Sequence, residues 1–154
     1  MNDNEKTQLI RTFYHRFQAR DWKGMADCYH KDIFFYDPVF QNLEGPQVSA
    51  MWAMLLKGAK DLQVTVSNIA AEGDYGSCNW TALYTFSPTG RKVENKVKAH
   101  FTFAEGRIIE HQDEFSFWRW SRQALGLPGL LFGWSAPLQR RVQKKARKQL
   151  LHTL

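Results

Sequence analysis

The residues with the clearest potential for chemistry are a histidine and an aspartate two positions apart, His111 and Asp113. In an extended segment, side chains two positions apart project from the same face. The other residues of this parity are apolar: Ile109, Phe115 and Phe117. We therefore predict that both polar side chains point inward, where loss of solvation raises the pKa of a carboxyl group and makes it a candidate general acid or base. The alternative is a His-Asp pair that only satisfies its own hydrogen bonds in the core.

A second candidate acid or base is Asp37, which follows the β-branched and aromatic run at 33–36 and precedes Pro38. Residues before proline avoid the helical region, so Asp37 is expected to close a strand. One hypothesis places it across a pocket from Asp113, as a second group for proton transfer. The alternative is a turn residue whose side chain accepts hydrogen bonds from backbone amides two residues on.

The sequence predicts neither a metal site nor an organic cofactor. Asp37, His111 and Asp113 together carry metal-ligating groups. However, there is no HExxH motif, and Cys28 and Cys78 stand isolated without CxxC spacing. We therefore expect chemistry, if any, to come from the side chains alone.

The first 60 residues show helical periodicity. Apolar residues recur three and four positions apart across 4–19, again after Asp21, and between Gly45 and Gly58. From residue 62 onward, apolar and polar residues alternate with a period of two across successive predicted strands and short turns. Helices followed by consecutive hairpins predict an α+β fold, in which the N-terminal helices pack on the concave face of a curved antiparallel sheet around an apolar pocket.

The inward faces of the predicted strands are rich in aromatic residues, which suit a pocket wall as well as a core. The candidate substrate-binding residues on these faces and on the first helix are Tyr14, Trp80, Tyr84, Asn95, Phe101 and Phe115. His100 falls on the outer face, where a surface or dimer contact is expected. We predict a mainly apolar pocket of about 300 Å³ or more.

The C-terminal quarter of the chain differs from the rest in charge. Residues 119–154 hold eight of the 21 Lys and Arg residues and no Asp or Glu, so this segment carries a charge of +8 and is the source of the positive net charge of +6. We predict a domain at 1–118 and a helical basic extension at 119–154. Within the extension we expect an apolar loop at 126–134 and then a basic amphipathic helix. The apolar stripe of that helix is Leu138, Val142, Ala146 and Leu150.

Two interpretations of this helix stay open. In the first, the apolar stripe packs on the domain or on a second copy, and the charges face solvent. In the second, the basic helix at 136–154 and the apolar segment Leu130-Leu131-Phe132-Gly133-Trp134 lie on an anionic membrane surface. Nucleic acid is not an expected partner, because nothing in the extension is suited to reading bases.

The predicted location is cytoplasmic, with peripheral membrane association as the alternative. The start MNDNEKTQ lacks the charged and apolar regions of a signal peptide. No apolar run approaches membrane-spanning length.

Several short motifs, in this order, resemble the nuclear transport factor 2-like superfamily, specifically its ketosteroid isomerase and SnoaL-like cyclase branches. The motifs are Asp21-Trp22, Tyr29-His30-Lys31-Asp32, Asp37-Pro38-Val39, Gly45 before the third helix, and Phe103-Ala104-Glu105-Gly106-Arg107-Ile108. The likeness spans about residues 5 to 118. It implies a cone-shaped fold with a pocket in its mouth, commonly dimeric. The superfamily hosts isomerases, cyclases, hydrolases, dehydratases and binding modules, so the fold alone names no function.

The resemblance implies roles residue by residue. Asp37 matches the aspartate base of ketosteroid isomerases, but Phe13 and Ala99 stand where those enzymes carry the Tyr and the protonated Asp that stabilise the enolate. Asp113 matches the acid/base aspartate of SnoaL-like cyclases. Limonene epoxide hydrolases pair an Asp near this position with an Arg and an Asp on the preceding strand, where this chain has Val97 and Ala99.

Together these observations predict a homodimeric protein that binds a small lipophilic or polycyclic molecule. Its expected chemistry is acid/base proton transfer of the isomerase or cyclase type. Asp113 would act as general acid/base, His111 would tune or relay its proton, and Asp37 would be the second acid/base. The alternatives are a non-catalytic ligand-binding module and a peripheral membrane or assembly protein that acts through its basic tail.

Overall fold

The structure, a computed structural model, describes residues 1–153. In this part of the chain, three helices and a short hairpin precede a series of long strands, and three further helices follow. The elements are α1 (Asp3–Gln18), α2 (Trp22–Asp27), β1 (Tyr29–Asp37), β2 (Gln41–Glu44), α3 (Pro46–Gly58), β3 (Gln63–Glu72), β4 (Tyr75–Phe86), β5 (Arg91–Ala104), β6 (Arg107–Glu114), α4 (Phe117–Leu125), α5 (Leu127–Phe132) and α6 (Ala136–Thr153).

The N-terminal helices begin at residues that satisfy their free backbone amides. Asn2 and Glu5 form a capping box at the start of α1. The Asp21 carboxylate accepts a hydrogen bond from the Gly24 amide at 2.9 Å and so starts α2. Pro46 occupies the first turn of α3, where a missing N–H costs nothing. All three helices lie where the periodicity predicted them.

The strands form one curved, open six-stranded sheet in the order β2-β1-β6-β5-β4-β3. The α+β fold class is confirmed, but the sheet is mixed and not antiparallel throughout. β1 runs parallel to β6, with Phe35 opposite His111, whereas the other neighbouring pairs are antiparallel. Period-2 alternation identifies a strand but carries no information on the direction of its partner, which explains the error.

Two strand boundaries also differ from the prediction. The hairpin strand β2 was not predicted, because it has four residues and only Leu43 among them is buried. The last strand was expected to reach residue 118, but β6 ends at Glu114. The Ser116 side chain accepts a hydrogen bond from the Arg119 amide and caps α4, so Phe117 belongs to a helix.

A bulge in β6 changes which isoleucine is buried. The pairing of β5 with β6 shifts register between Thr102 and Phe103. As a result Ile108 is fully buried and Ile109, which strand parity predicted to face inward, is only half-buried.

The main core lies between the N-terminal helices and the inward face of the sheet. α1 contributes Ile10, Phe13, Tyr14 and Phe17, and the inward residues of β4 and β5 face them as predicted. A smaller apolar cluster forms where β4 ends and β5 begins, and it contains Val93, Phe117, Trp120 and Ala124. The C-terminal ends of β1 and β6 and the start of β5 lie at the same end of the sheet, so this second cluster lies at that end of the cone, called the mouth below.

The C-terminal segment is helical almost throughout. The expected apolar loop at 126–134 contains the helix α5. Gly129 permits this turn, because a Cβ there would lie 2.0 Å from the backbone oxygen of Ser121. Close backbone contact with α4 therefore holds α5 in place, and this long-range contact leaves no trace in local periodicity.

The helix α6 packs on the domain along its apolar stripe. Leu150 is 1% exposed and joins the main core, and Ala146 packs against that core as well. The amide of Gln143 donates a hydrogen bond to the Pro38 oxygen at 2.9 Å. This agrees with the first of the two interpretations of the helix, in which the stripe docks on the chain itself. None of the helices within residues 1–153 is both long and apolar enough to span a bilayer.

Candidate functional site

The carboxylate of Asp113 lies at the centre of a buried hydrogen-bond chain. Its Oδ1 atom is 2.9 Å from His111 Nε2 and accepts a hydrogen bond from Trp80 Nε1 at 3.2 Å. The side chain is inside the cone as strand parity predicted, and Asp113 is only 2% exposed. Among the described residues, both hydrogen bonds reach Oδ1, so Oδ2 remains available to a ligand or water.

The chain continues from His111 to Tyr29 and Trp52. Trp52 Nε1 donates to the Tyr29 hydroxyl oxygen at 2.9 Å, and that hydroxyl lies 2.8 Å from His111 Nδ1. Tyr29 accepts from Trp52, so its own proton is free for Nδ1. This assigns the neutral imidazole a proton on Nε2, directed at Asp113. Reversing this tautomer would place two lone pairs against each other.

Aromatic rings enclose His111. The ring of Phe101 has its centroid 4.6 Å from that of the imidazole. The other rings around it, with centroids 5.1–6.1 Å away, belong to Phe13, Tyr29, Phe35 and Trp52. This packing fixes the orientation of the imidazole and excludes bulk water from the pair with Asp113.

Asp37 is buried at the end of β1, and its hydrogen bonds are those of the turn residue named as the alternative. Its Oδ1 atom accepts hydrogen bonds from the amides of Val39 at 2.8 Å and Phe40 at 2.6 Å, as a turn residue would. Burial nevertheless raises the pKa of Asp37 to about 7, with a further contribution from the negative charge of Asp113. The negative charge of Asp113 therefore acts on Asp37, and the Asp37 carboxyl group changes protonation near neutral pH.

Tyr14 brings an unusual hydroxyl to the same interior. It is fully buried, and its Oη atom has no hydrogen-bond partner of normal geometry within residues 1–153. Burial, followed by the nearby Asp113 carboxylate, raises its pKa well above the ordinary value, so the hydroxyl stays protonated. The polar group beside it is the Cys78 thiol, a weak hydrogen-bond partner, so the Tyr14 hydroxyl can donate a stronger hydrogen bond to a ligand oxygen.

The remaining candidate binding residues divide between two places. Trp80 and Phe101 lie with Asp113 and His111 in the main core. Tyr84 and Phe115 lie towards the mouth, where Trp120 Nε1 donates to the Tyr84 hydroxyl at 2.8 Å. Asn95 is half-buried on β5 and forms no part of either hydrogen-bond arrangement described here. His100, on the outer face as predicted, contacts Tyr75 and Glu114.

Two cavities are prominent on the described part of the chain, and neither borders Asp37, His111 or Asp113. One of about 290 Å³ lies on the outer face of the sheet. The other, of about 430 Å³, lies between the start of β5 and the helices α4 and α5. We predicted a roomy apolar pocket around Asp113, but large aromatic side chains occupy that space in the structure. A ligand reaches Asp113 only if some of them move.

Two members of the buried chain were missed from the sequence. In the sequence, Tyr29 stands out only as part of a motif, and Trp52 only as one of the apolar residues of the helical segment between Gly45 and Gly58. Tyr29 lies six positions before the buried Phe35 on β1, so strand parity could have placed both side chains inward. The contact of Tyr29 with His111, however, depends on the parallel pairing of β1 with β6. Within residues 1–153, no group of three or more His, Cys, Asp or Glu side chains is arranged to hold a metal ion.

Structural comparison finds the same fold in proteins of several activities. The M. tuberculosis LEH-like epoxide hydrolase is 20% identical, with a TM-score of 0.66 over 84% of this chain and 96% of that one. IdmH from Streptomyces antibioticus, provisionally described as a polyketide cyclase, is 21% identical, with a TM-score of 0.66 over 78% and 97%. TerC, crystallised with polyporic acid, is 17% identical, with a TM-score of 0.63 over 72% and 91%. At these identities the likeness establishes the fold alone.

Sequence comparison gives a narrower result. No curated protein sequence matches the chain significantly. The family model described as a SnoaL-like domain matches residues 10–111, about two thirds of the chain, which includes β1, α3 and the strands that carry the aromatic interior. The chain therefore belongs to the SnoaL-like domain family.

Proposed function

We propose that the interior of the cone binds a small lipophilic or polycyclic molecule and that Asp113 transfers a proton to or from it, in an isomerase- or cyclase-type reaction without a cofactor. The observation that carries the proposal is the buried chain Trp52-Tyr29-His111-Asp113, which ends on one carboxylate oxygen and leaves the other free. The orientation that Tyr29 and Trp52 give to His111 supports a role for the histidine in holding or tuning the proton of Asp113.

The proposed step needs no external oxidant or reductant. The Oδ2 atom of Asp113 takes a proton from a carbon next to a carbonyl group; the electron pair of the C–H bond forms a C=C bond, and the π pair of the carbonyl group moves to its oxygen to give an enolate. In an isomerisation, Asp113 returns the proton to another carbon of the enolate. In a cyclisation, the enolate carbon attacks a second carbonyl carbon, and the alkoxide formed there takes the proton back from Asp113. The protonated hydroxyl of Tyr14 supports this proposal, because it can donate a hydrogen bond to the enolate oxygen.

Asp37 fits the role of the second group. Its pKa of about 7 lets it hold a proton that it can give up near neutral pH. Hydrolysis of an epoxide is a weaker candidate, since the residue paired with Asp113 across β5 is Ala99 and offers neither charge nor hydrogen bond.

A non-catalytic binding module is the second candidate, and one observation favours it. Asp113 and His111 satisfy each other at 2.9 Å in a tightly packed interior, as a structural pair would. In that case the cone would hold its ligand without changing it.

Deuterium exchange distinguishes the two candidates without knowledge of the natural substrate. A polycyclic β-diketone is incubated with the protein in D₂O, and deuterium incorporation at carbon is followed by NMR, while quenching of tryptophan fluorescence reports binding. We expect Asp113→Asn to bind the probe but to exchange it roughly 10²-fold more slowly than the unmodified protein.

The matched control is Glu114→Gln, which makes the same chemical change one residue away on the exposed face of β6. It should exchange at the original rate. Equal exchange rates for Asp113→Asn and the unmodified protein would refute the catalytic role, and binding without any exchange would establish the binding module.

A further inference from the structure

The surface around α5 is unusually apolar for a surface in contact with water. Several large apolar side chains close together in the sequence are exposed here, and Trp134 is 71% exposed. The residues of this apolar α5 surface are Trp118, Leu127, Leu130, Leu131, Phe132 and Trp134. A contiguous group of this kind marks a site of interaction with a partner or a membrane.

A cationic groove adjoins the apolar α5 surface and shares two of its leucines. The groove is the cavity of about 430 Å³ noted above, and it is lined by Arg91, Lys92, Arg122, Gln123, Gly126, Leu127 and Leu130. Arg91 is held in place, since its Nε donates to the Gln123 oxygen at 2.7 Å. Arg122 is held over the ring of Trp118, with 4.8 Å between guanidinium carbon and ring centroid. Fixed cations beside apolar side chains suit a molecule with an anionic head and apolar chains.

The two exposed indoles can enter hydrocarbon without leaving a donor unpaired. Trp118 Nε1 donates to the Leu130 oxygen at 3.1 Å, and Trp134 Nε1 donates to the Leu131 oxygen at 2.8 Å. Burial of an unpaired N–H in lipid would cost roughly 2 kcal/mol or more of transfer free energy. Both indole N–H groups avoid this cost because they donate to backbone oxygens of the protein itself.

The charge of the segment selects among possible occupants. Residues 119–154 contain eight Lys and Arg and no Asp or Glu. Among residues 1–153, the ion pairs formed involve none of these eight cations. A second copy docked through the same surface would bring like charges together, whereas an anionic bilayer would neutralise them.

We propose that the apolar α5 surface and the cationic groove together dock on an anionic phospholipid surface. This interface keeps one part of the second interpretation made from the sequence, the apolar segment at 130–134, but the apolar stripe of α6 does not face the lipid. That stripe is occupied by the domain, with Leu150 in the core. The apolar contact instead comes from α5 and its two flanking tryptophans, and the exposed cations of α6 add long-range attraction.

Vesicle co-sedimentation tests the proposal. The protein should bind vesicles that contain phosphatidylglycerol, bind pure phosphatidylcholine vesicles much less, and lose affinity as salt rises. The double variant Leu131→Gln, Phe132→Gln should lower partitioning at least about tenfold, because two exposed apolar side chains no longer enter the bilayer. Leu83→Gln changes an equally exposed leucine on β4 and should have no effect.

The charges are tested separately. Lys92→Gln combined with Arg122→Gln should lower binding to anionic vesicles by about tenfold or more, whereas Arg11→Gln on the exposed side of α1 should change it little. In case a variant is unstable, the unmodified protein gives an independent reading. Brominated lipids should quench its tryptophan fluorescence, and Trp134→Phe should remove a large part of that quenching.

Three results would overturn the proposal: no preference for anionic vesicles, equal binding by the α5 double variant and the Leu83→Gln control, or no quenching by brominated lipids. Light scattering with size-exclusion chromatography covers the rival occupant. If the double variant converts a dimer to a monomer while the unmodified protein ignores vesicles, the surface is a contact between two copies and the membrane proposal fails.

Discussion

Tyr29 and Tyr14 are two buried tyrosines with opposite hydrogen-bonding situations. The hydroxyl of Tyr29 joins Trp52 to His111, whereas the hydroxyl of Tyr14 has no partner of normal geometry in the described structure. Removing a hydroxyl that satisfies two buried groups leaves both unpaired, but removing an unpaired hydroxyl leaves nothing behind. The same substitution should therefore have different consequences at the two positions.

We predict that Tyr29→Phe lowers the free energy of unfolding by about 1–3 kcal/mol, because Trp52 Nε1 and His111 Nδ1 lose their partner. Tyr14→Phe should change it by less than about 0.5 kcal/mol, or raise it. Urea unfolding of both variants measures the difference. Equal losses would mean that the chain through Tyr29 contributes nothing specific to stability.

A pH-dependent prediction follows from Asp37. Its pKa is about 7 in the folded protein and 3.8 in an unperturbed aspartate. Below pH 3.8 the group is protonated in both states, so its stabilising effect is complete. As pH rises towards 7, the unfolded chain releases its proton first, and folding loses up to about 1.4 kcal/mol per pH unit from this group.

Asp37→Asn should remove this loss, since an amide oxygen still accepts the Val39 and Phe40 hydrogen bonds and does not titrate. The variant should be more stable than the unmodified protein at pH 8, by up to about 4 kcal/mol, and similar to it at pH 4. Unfolding curves at both pH values measure this. A constant difference between the two proteins across that range would contradict the raised pKa.

Parity in the sequence was sufficient to place Asp113 and His111 inside the cone, because the side-chain period of a strand is two and one face was plainly apolar. It could not place Tyr29 against His111, since that contact depends on the parallel pairing of β1 with β6, which residues far apart in the chain decide. The free space around Asp113 was also beyond prediction, because the volume left among aromatic rings depends on their rotamers.

At the scale of elements, the helices differ in how their ends and contacts are specified. Local caps such as Asn2 and Asp21 mark helix starts that can be read from the sequence. Ser116 caps α4 in the same way, although strand parity assigned Phe117 to the preceding strand. The helix α5 has no side-chain cap at its start and depends on the close approach of Gly129 to Ser121. Helices of this second kind look like loops in the sequence, and their glycines are sensitive to substitution.

We predict that Gly129→Ala destabilises the protein by at least about 2 kcal/mol, because the new methyl group would overlap backbone atoms of α4 that cannot move aside. Gly58→Ala is the control. It lies at the end of α3 with no atom within 4 Å of its added Cβ, and it should be neutral or stabilising by about 0.5–1 kcal/mol. Thermal unfolding of the pair measures the contrast, and similar melting temperatures would argue against the α4–α5 contact.

At the scale of the whole molecule, the C-terminal helices complete the domain. Trp120 on α4 holds Tyr84 at the mouth, and Gln143 on α6 holds the turn after Asp37. A ligand that enters from this end must pass elements that also bear the proposed lipid-binding surface. A lipophilic ligand dissolved in a bilayer would thus meet the protein at the end of the cone where its acid/base groups lie.

Two adjacent leucines in α6 test its docking on the domain. Leu150 is 1% exposed and Leu151 is 56% exposed. We predict that Leu150→Ala lowers the free energy of unfolding by about 2–5 kcal/mol through the cavity it creates, and that Leu151→Ala changes it by less than about 0.5 kcal/mol. Urea unfolding measures both. Similar small effects would indicate that α6 is detached in solution.

The hydrogen bond from Gln143 to Pro38 joins residues 105 positions apart in the chain. Closing so long a loop has a large entropic cost, and proteins dominated by such distant contacts fold slowly. During synthesis, the Pro38 turn leaves the ribosome well before Gln143 exists. Whenever the interior that carries Asp37 and Asp113 forms before α6 docks, this end of the cone is uncovered, and a hydrophobic molecule can reach the interior there.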